Sequence, residues 1–341
     1  MVKGVIRVKM RPSPDSFRKF GSNLPIISEC VVGTDNIATL KLHNDEIIKI
    51  RLVILSEGYP KQIKEAISGI SSDMYSVILA PYITEQTADL CKKAEVGFLD
   101  MSGNCHIAYK SLYIEIKGNK NDNKPGRGIK SVYERSSVVS SIILRIMLED
   151  TRRTWRLKEL AQAAGCSIGQ VSKVKDFLIK QTYVDQSSEG ISVIDPKSVM
   201  KDWAKVYSDS QEEKIQCYSL APLTDIEERI SKMKEETGIE CLLTGFSGGV
   251  RYQPVVRYQK VHALIDAGDL KAAIDYLGLK KVDSGANVIF IVKYNGCVGL
   301  NSRIIKNCLV ASPVQVFLDC MSLKGRGEEI AEAILNKEIC K

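Results

Sequence analysis

Glu115 and Lys117, in the run LYIEIKG, make an acidic-x-lysine pair, with Asp100 upstream of them. Those residue types are what metal-dependent phosphodiester hydrolysis needs, because a hard Mg²⁺ ion takes oxygen ligands and a lysine supports the attacking water. The pair falls on the last strand signal of its segment, where alternating charges equally describe a solvated edge strand. Nucleotidyl transfer is a second chemistry to weigh. LLTGFSGG, from Leu242 to Gly249, has the form of a glycine turn ahead of a metal-binding strand. The strand that follows, KVHALID, offers only Asp266 where two closely spaced carboxylates are needed. His262 on it reads as a partly buried strand residue, and KGRGEE near the end reads as a helix entry. A third set carries no carboxylate chemistry at all. Arg152, Arg153 and Arg156 precede, and Lys173 and Lys175 fall within, the stretch ELAQAAGCSIGQVSKVKDFL. Cations so clustered suit phosphate neutralisation.

The elements that must position this third set can be read from apolar spacing. Leu160, Ala161 and Ala164 share one helical face, Gly165 ends that helix, and Ser167 starts another whose Ile168, Val171, Val174 and Leu178 again share a face. VVSSIILRIMLED (Val138 to Asp150) supplies a helix before them, and TYVDQSSEGISVID supplies two short β runs joined by a Ser-Ser-Glu-Gly turn after them. Three helices and a two-stranded wing are the pattern of a winged helix-turn-helix, whose second turn helix lies in the major groove. From Lys117 to Lys180 there are fourteen Lys and Arg against six Asp and Glu, a local net of +8 beside +7 for the whole chain. Outward positions of the last helix would be Gly169, Gln170, Ser172 and Lys173, small or hydrogen-bonding residues able to approach base edges. The residues expected to bind DNA are therefore Arg152, Arg153, Arg156, Ser167, Gln170, Ser172, Lys173 and Lys175. Two other readings stay open: Ser167 and Gln170 also form an S-x-x-Q capping box, and winged helices also serve as protein-docking modules.

A chain of 341 residues, 44% hydrophobic and 26% charged, is an ordinary globular composition too long for one core. Gly118 to Gly128, GNKNDNKPGRG, lacks large apolar residues and reads as a linker; a second boundary is placed near Asp209 to Lys214, DSQEEK. Three domains are expected: 1–120, 130–208 and 209–341. The first alternates strand and helix signals. IIKIRLVIL is a strand, a helix after Pro60 turns Ile63, Ala66, Ile67 and Ile70 inward, SVILAPYI is a strand, and Thr84 caps a helix carrying Thr87, Leu90, Cys91 and Ala94 inward. GFLDM, CHIAY and LYIEI follow as three short strands of a mixed sheet. Ten scattered Cys without a C-x-x-C pair, and three His, read as reduced thiols with no zinc site. No signal-peptide core and no run of about 18 apolar residues is present, which places the protein in the cytoplasm.

The C-terminal runs LLTGFSGGVRYQPVVRYQKVHALID, DSGANVIFIV and SPVQVFLDCMSLKGRGEEIAEAI, with VILAPYITEQTADLCKKAEVGFLDMSGNCHIAY in the first segment, resemble the AbiEi family of type IV abortive-infection antitoxins and transcriptional regulators. The resemblance covers the chain from about Ile47 onward, and its SPVQ...LD...GRGEE ending is the most specific part. It implies a cytoplasmic antitoxin that represses its own operon and opposes a toxin resembling a nucleotidyltransferase, without a tight complex. The first segment also resembles restriction-endonuclease-like folds, but KIRLVIL carries Lys49 and Arg51 where such a strand bears its carboxylates.

The resulting expectation is an α/β protein with a winged helix: a restriction-endonuclease-like α/β domain, inactive; a central winged helix-turn-helix on double-stranded operator DNA; and a nucleotidyltransferase-like C-terminal α/β domain. The flanking domains would serve dimerisation, as a homodimer, or partner recognition. Arg251, Tyr252, Arg257 and Tyr258 are candidates for a surface that meets a partner or RNA. No catalytic residue, metal or cofactor is assigned, and the alternative is a nucleic-acid-processing enzyme.

Overall fold

The computed structural model describes residues 11–121, 132–134, 136–209, 213–293, 299–323 and 325–340. Part of the linker expected at 118–128, and residues 210–212 of the boundary expected at 209–214, lie outside these residues. The chain divides into two compact mixed α/β units, residues 1–129 with 179–182, and residues 130–178 with 183–341. The segments expected as 130–208 and 209–341 thus share one unit.

The first unit is a seven-stranded sheet whose strands lie in chain order: β1 (Ile27–Val32), β2 (Ile37–Leu42), β3 (Ile47–Ile54), β4 (Ser76–Ala80), β5 (Gly97–Asp100), β6 (Cys105–Tyr109) and β7 (Leu112–Ile116). β3, β4 and β5 run parallel because α2 (Pro60–Gly69) and α3 (Glu85–Lys93) cross between them, and both flanks are antiparallel. All five residues of β4, SVILA, are buried, as expected for a strand covered on both faces. Val77 and Leu79 face a core closed by Phe17 of α1 (Pro14–Ser22), whereas Ile78 and Ala80 face a core closed by Ile63 and Cys91 of α2 and α3. The residues before Ile47, unassigned from sequence, therefore contribute a helix and two strands. Ser13 starts α1 with a capping box ahead of Pro14. Ala94, expected to point inward, is exposed, because α3 ends there and Ala94 is its C-cap.

The second unit begins with α4 (Val138–Glu149), α5 (Leu157–Ala163) and α6 (Ile168–Lys180), then an antiparallel hairpin of β8 (Val184–Gln186) and β9 (Ile191–Val193), then α7 (Pro196–Asp209). A second seven-stranded sheet follows in the order β13-β10-β14-β12-β11-β16-β15. Its members are β10 (Lys214–Tyr218), β11 (Cys241–Leu243), β12 (Val261–Asp266), β13 (Lys280–Lys281), β14 (Val288–Lys293), β15 (Arg303–Ile305) and β16 (Cys308–Val310). Helices α8 (Leu223–Thr237), α9 (Gly245–Tyr252), α10 (Leu270–Leu277), α11 (Pro313–Met321) and α12 (Gly327–Ile334) pack on this sheet and on one another. α11 contacts α4 and α7, so the three-helix part and the second sheet are joined through buried side chains.

Candidate nucleic-acid interface

Helices α5 and α6 meet at Ala164 to Ser167, where Gly165 has φ +60° and Ala164, Leu160 and Ala161 are buried. Val171, Val174, Phe177 and Leu178 bury the inner face of α6. Ile168 does not join them: it is 50% exposed, on the first turn of α6. The expectation that it packs inward is corrected by helical phase, since at 3.6 residues per turn Ile168 trails the Val171–Val174–Leu178 row and falls at the edge of the outer face. The outer face carries Gly169, Ser172, Lys173 and Asp176.

The other expected DNA-binding residues divide by what they touch. Arg152 and Arg156 are exposed, and so is Lys158, a cation outside the expected set. Arg153 is exposed but anchored, its guanidinium 3.7 Å from the Trp155 ring centroid and 3.9 Å from Glu159. Ser167 and Gln170 are joined in a reciprocal cap: Ser167 N–H and Oγ–H donate to Gln170 Oε1 at 3.0 and 3.1 Å, and Gln170 N–H donates to Ser167 Oγ at 3.3 Å. The amide oxygen of Gln170 is thus committed to its own helix. Lys175 is withdrawn from the outer face, with 14% of its side chain exposed and its Nζ 3.2 Å from Asp176. Lys173 remains exposed.

The hairpin after α6 has a third member that the sequence did not announce. Trp155 N–H donates to Ile191 O at 2.8 Å and Ile191 N–H donates to Trp155 O at 2.9 Å, so the segment carrying Arg152 to Arg156 is stitched to β9. Gly190 makes the approach feasible. It sits at φ +149°, and a Cβ there would lie 2.3 Å from Trp155 O. Gly190→Ala is therefore expected to cost about 1 to 3 kcal/mol and to release the Arg152–Arg156 segment. Urea unfolding measures the first, and loss of Trp155 hydrogen-exchange protection measures the second.

Arg251, Tyr252, Arg257 and Tyr258 do not form one surface. Arg251 Nη2 lies 2.7 Å from Glu227 Oε2, and Tyr258 Oη donates to Glu227 Oε1 at 2.7 Å, around a glutamate that is itself 1% exposed. A buried carboxylate demands such partners, which draws both side chains inward. Tyr252 Oη donates to Ala311 O at 2.8 Å; only Arg257 is exposed.

The SPVQ...LD ending folds into a polar cluster inside the second unit. Ser312 Oγ caps α11 by accepting Gln315 N–H at 3.2 Å, with Pro313 in the first turn. Gln315 Nε2 donates to Asp319 Oδ1 and to Tyr207 Oη, each at 2.8 Å, and Gln315 Oε1 accepts from Arg145 Nη2 at 2.7 Å. Asp319 also accepts from Tyr207 Oη at 2.6 Å and from Thr244 Oγ1, while Lys293 Nζ donates to Tyr207 Oη at 2.8 Å. Burial and the Asp319 carboxyl push the Tyr207 phenol well above its usual pKa. Arg145 comes from α4 and Tyr207 from α7, the helices that flank the α5–α6 pair. Nothing in the linear sequence pairs these residues, but one signal was present: Gln315 and Asp319 are two polar groups at i,i+4 on an otherwise apolar helix.

His262 lies beside this cluster on β12, 2% exposed, its backbone N–H donating to Ser247 Oγ at 3.1 Å and its ring Nδ1 buried without a hydrogen-bond partner. Burial lowers its pKa to about 4. Asp266 at the end of the strand accepts from Gly268 N–H at 3.0 Å. The glycines of LLTGFSGG serve packing: a Cβ on Gly248 would lie 2.7 Å from Leu243 O, so its absence lets α9 lie against the end of β11.

Asp100 and Glu115 lie in the first unit. Asp100 is 2% exposed and accepts from Ser102 N–H, Asn104 N–H, Asn104 Nδ2 and Asn121 Nδ2 at 2.7 to 3.0 Å, a set that closes the β5–β6 turn. Glu115, on the edge strand β7, is 2.7 Å from Lys92 and 2.8 Å from Lys117, and hydrogen bonds from Lys117 and then Lys92 hold its pKa down to about 2. Among the described residues no group of three or more His, Cys, Asp or Glu is placed to hold a metal ion, and no helix is long and apolar enough to cross a membrane.

Residues 192–340 match the family model described as transcriptional regulator, AbiEi antitoxin, type IV TA system. The match starts inside β9 and takes in α7, the second sheet and the SPVQ...LD helix, leaving α4 to α6 outside it. No curated protein and no solved structure matches the chain. Over residues 192–340, then, the chain is similar to the AbiEi family of type IV toxin–antitoxin antitoxins and transcriptional regulators.

Proposed function

We propose that the protein is an antitoxin that regulates transcription of its own operon by binding double-stranded operator DNA through residues 130–208, as a winged helix-turn-helix. The observation that carries the reading is the exposure of Arg152, Arg156 and Lys158 at the entry to α5 and of Lys173 on the outer face of α6, with Arg153 held against Trp155. In this reading α6 enters the major groove, and Lys173 meets a base edge. Arg152, Arg153 and Arg156 lie along phosphates, and the β8–β9 hairpin is the wing. Residues 1–120, as an inactive restriction-endonuclease-like domain, and 209–341, as a nucleotidyltransferase-like domain, support dimerisation or recognition. The functional partner is a nucleotidyltransferase-like toxin, and the setting is the cytoplasm.

Titration of a duplex from upstream of the protein's own gene, against a scrambled duplex at several salt concentrations, tests this. Lys173→Ala is expected to cost about 1 to 3 kcal/mol on the upstream duplex and to relax sequence preference. Arg152→Ala is expected to weaken both duplexes alike and to reduce the salt slope by about one unit. Absence of binding to either duplex at low salt, or isotherms unchanged in both variants, would make the unit a protein-docking module.

A further inference from the structure

Ile168 is a large apolar side chain, half exposed, at the start of the helix proposed to enter the groove. Three features around it restrict what it can meet. Gly169 beside it has only Ser167 Oγ, at 3.9 Å, within reach of an added Cβ, so the backbone there can come close to a ligand. Gln170, the side chain best suited to adenine, has its oxygen tied to Ser167 N–H and Oγ–H. Lys175 is folded against Asp176. What is left for contact on the first turn and a half of α6 is Ile168, Gly169, Ser172 and Lys173, with Ile168 and Ser172 adjacent at i,i+4. Asp176, exposed on the same stripe, places a carboxylate further along the helix, where it would repel phosphates and so bounds the reading surface to that first stretch.

Only one base edge in the major groove is apolar, the 5-methyl group of thymine. The exposed cations ahead of Ile168 in the chain, Arg152, Arg156 and Lys158, and Lys173 after it match a polyanion better than an apolar partner. We infer that Ile168 is a specificity-determining residue that packs on a thymine methyl group in the major groove, next to a base contacted by Lys173. This rests on the DNA-binding reading above and adds what that reading lacks: the preferred site contains a thymine whose methyl group, not its hydrogen-bonding edge, is recognised. Gln170, by contrast, serves the helix cap.

Duplexes enriched by the full-length protein from a random-sequence pool supply the probe, synthesised again with each thymine in turn replaced by deoxyuridine, which removes only the methyl group. At one position the replacement is expected to weaken binding by the wild-type protein about three- to tenfold, the effect of losing roughly one buried methyl contact. Ile168→Ala is expected to lose a similar factor on the thymine duplex and nothing further on the deoxyuridine duplex. Because Ile168 is half exposed, the variant is expected to keep the wild-type melting temperature, measured alongside. Equal wild-type affinity for the thymine and deoxyuridine duplexes at every position overturns the inference, as does an Ile168→Ala variant that still discriminates between them. Enrichment of no duplex at all overturns the DNA-binding reading itself, and that result is distinguishable from either of the others.

Discussion

Asp319→Ala is expected to destabilise the protein by about 3 to 5 kcal/mol. The carboxyl is 1% exposed and accepts hydrogen bonds from Tyr207, Gln315 and Thr244. Truncation leaves those donors in a buried site with no acceptor, and each unsatisfied group costs about 1 to 3 kcal/mol. The three are not additive, since Gln315 Nε2 also donates to Tyr207 Oη and keeps part of the network closed. Tyr207→Phe removes a single hydroxyl and is expected to cost less than half as much. Because Arg145 of α4 reaches the cluster through Gln315, Asp319→Ala should also raise hydrogen exchange in α4, not only around α11. Urea unfolding of the full chain measures the stability change. A loss below about 1 kcal/mol would mean that water replaces the carboxyl and that the SPVQ...LD helix is held by apolar packing alone.

The second large effect is a loss of stability on acidification that belongs to His262. Its pKa is lowered to about 4 in the fold by burial, against about 6.5 in an unfolded chain. The unfolded state therefore binds the proton more readily. The contribution of the neutral imidazole is fully present above about pH 6.5 and is lost as pH falls toward 4. Between pH 8 and pH 5 the loss amounts to about 2 kcal/mol, and by pH 4 to about 3. His106 is also lowered by burial, so the comparison must isolate one residue. His262→Gln shifts the whole stability curve by its own packing cost but removes one proton from its slope, and the slope is the quantity to read. An unchanged slope between pH 7 and pH 5 in His262→Gln would show that the imidazole is protonated in place or reaches water.

Much of this molecule is local in origin. Thr84 and Ser13 start helices with capping boxes. β4 is a continuous apolar run with both faces covered, and the α5–α6 turn follows from Ala-rich spacing, a glycine at positive φ and a serine cap. Such signals act over a few residues, so the sequence alone determines where α2 to α6, β3 to β7 and the β8–β9 hairpin lie. It also fixes the basic cluster, because charge is additive along the chain.

Long-range pairing decided the rest. Ile168 has the spacing of a core residue, but the buried arc of α6 centres on Val171, Val174 and Leu178 and leaves it half exposed at the edge. Arg251 and Tyr258 have the look of a binding surface until α8 delivers Glu227, a buried carboxylate that takes both. Trp155 is an isolated aromatic in a basic loop until Ile191 reaches back to it. Arg145, Tyr207, Thr244, Gln315 and Asp319 are scattered over 175 residues, and of the contacts that join them to one another only that of Gln315 with Asp319 lies within one element. A sequence specifies the donors and acceptors of such a cluster, but their pairing is set by which helices pack together, and burial then makes that pairing obligatory because an unpaired polar group there costs more than the contact itself returns.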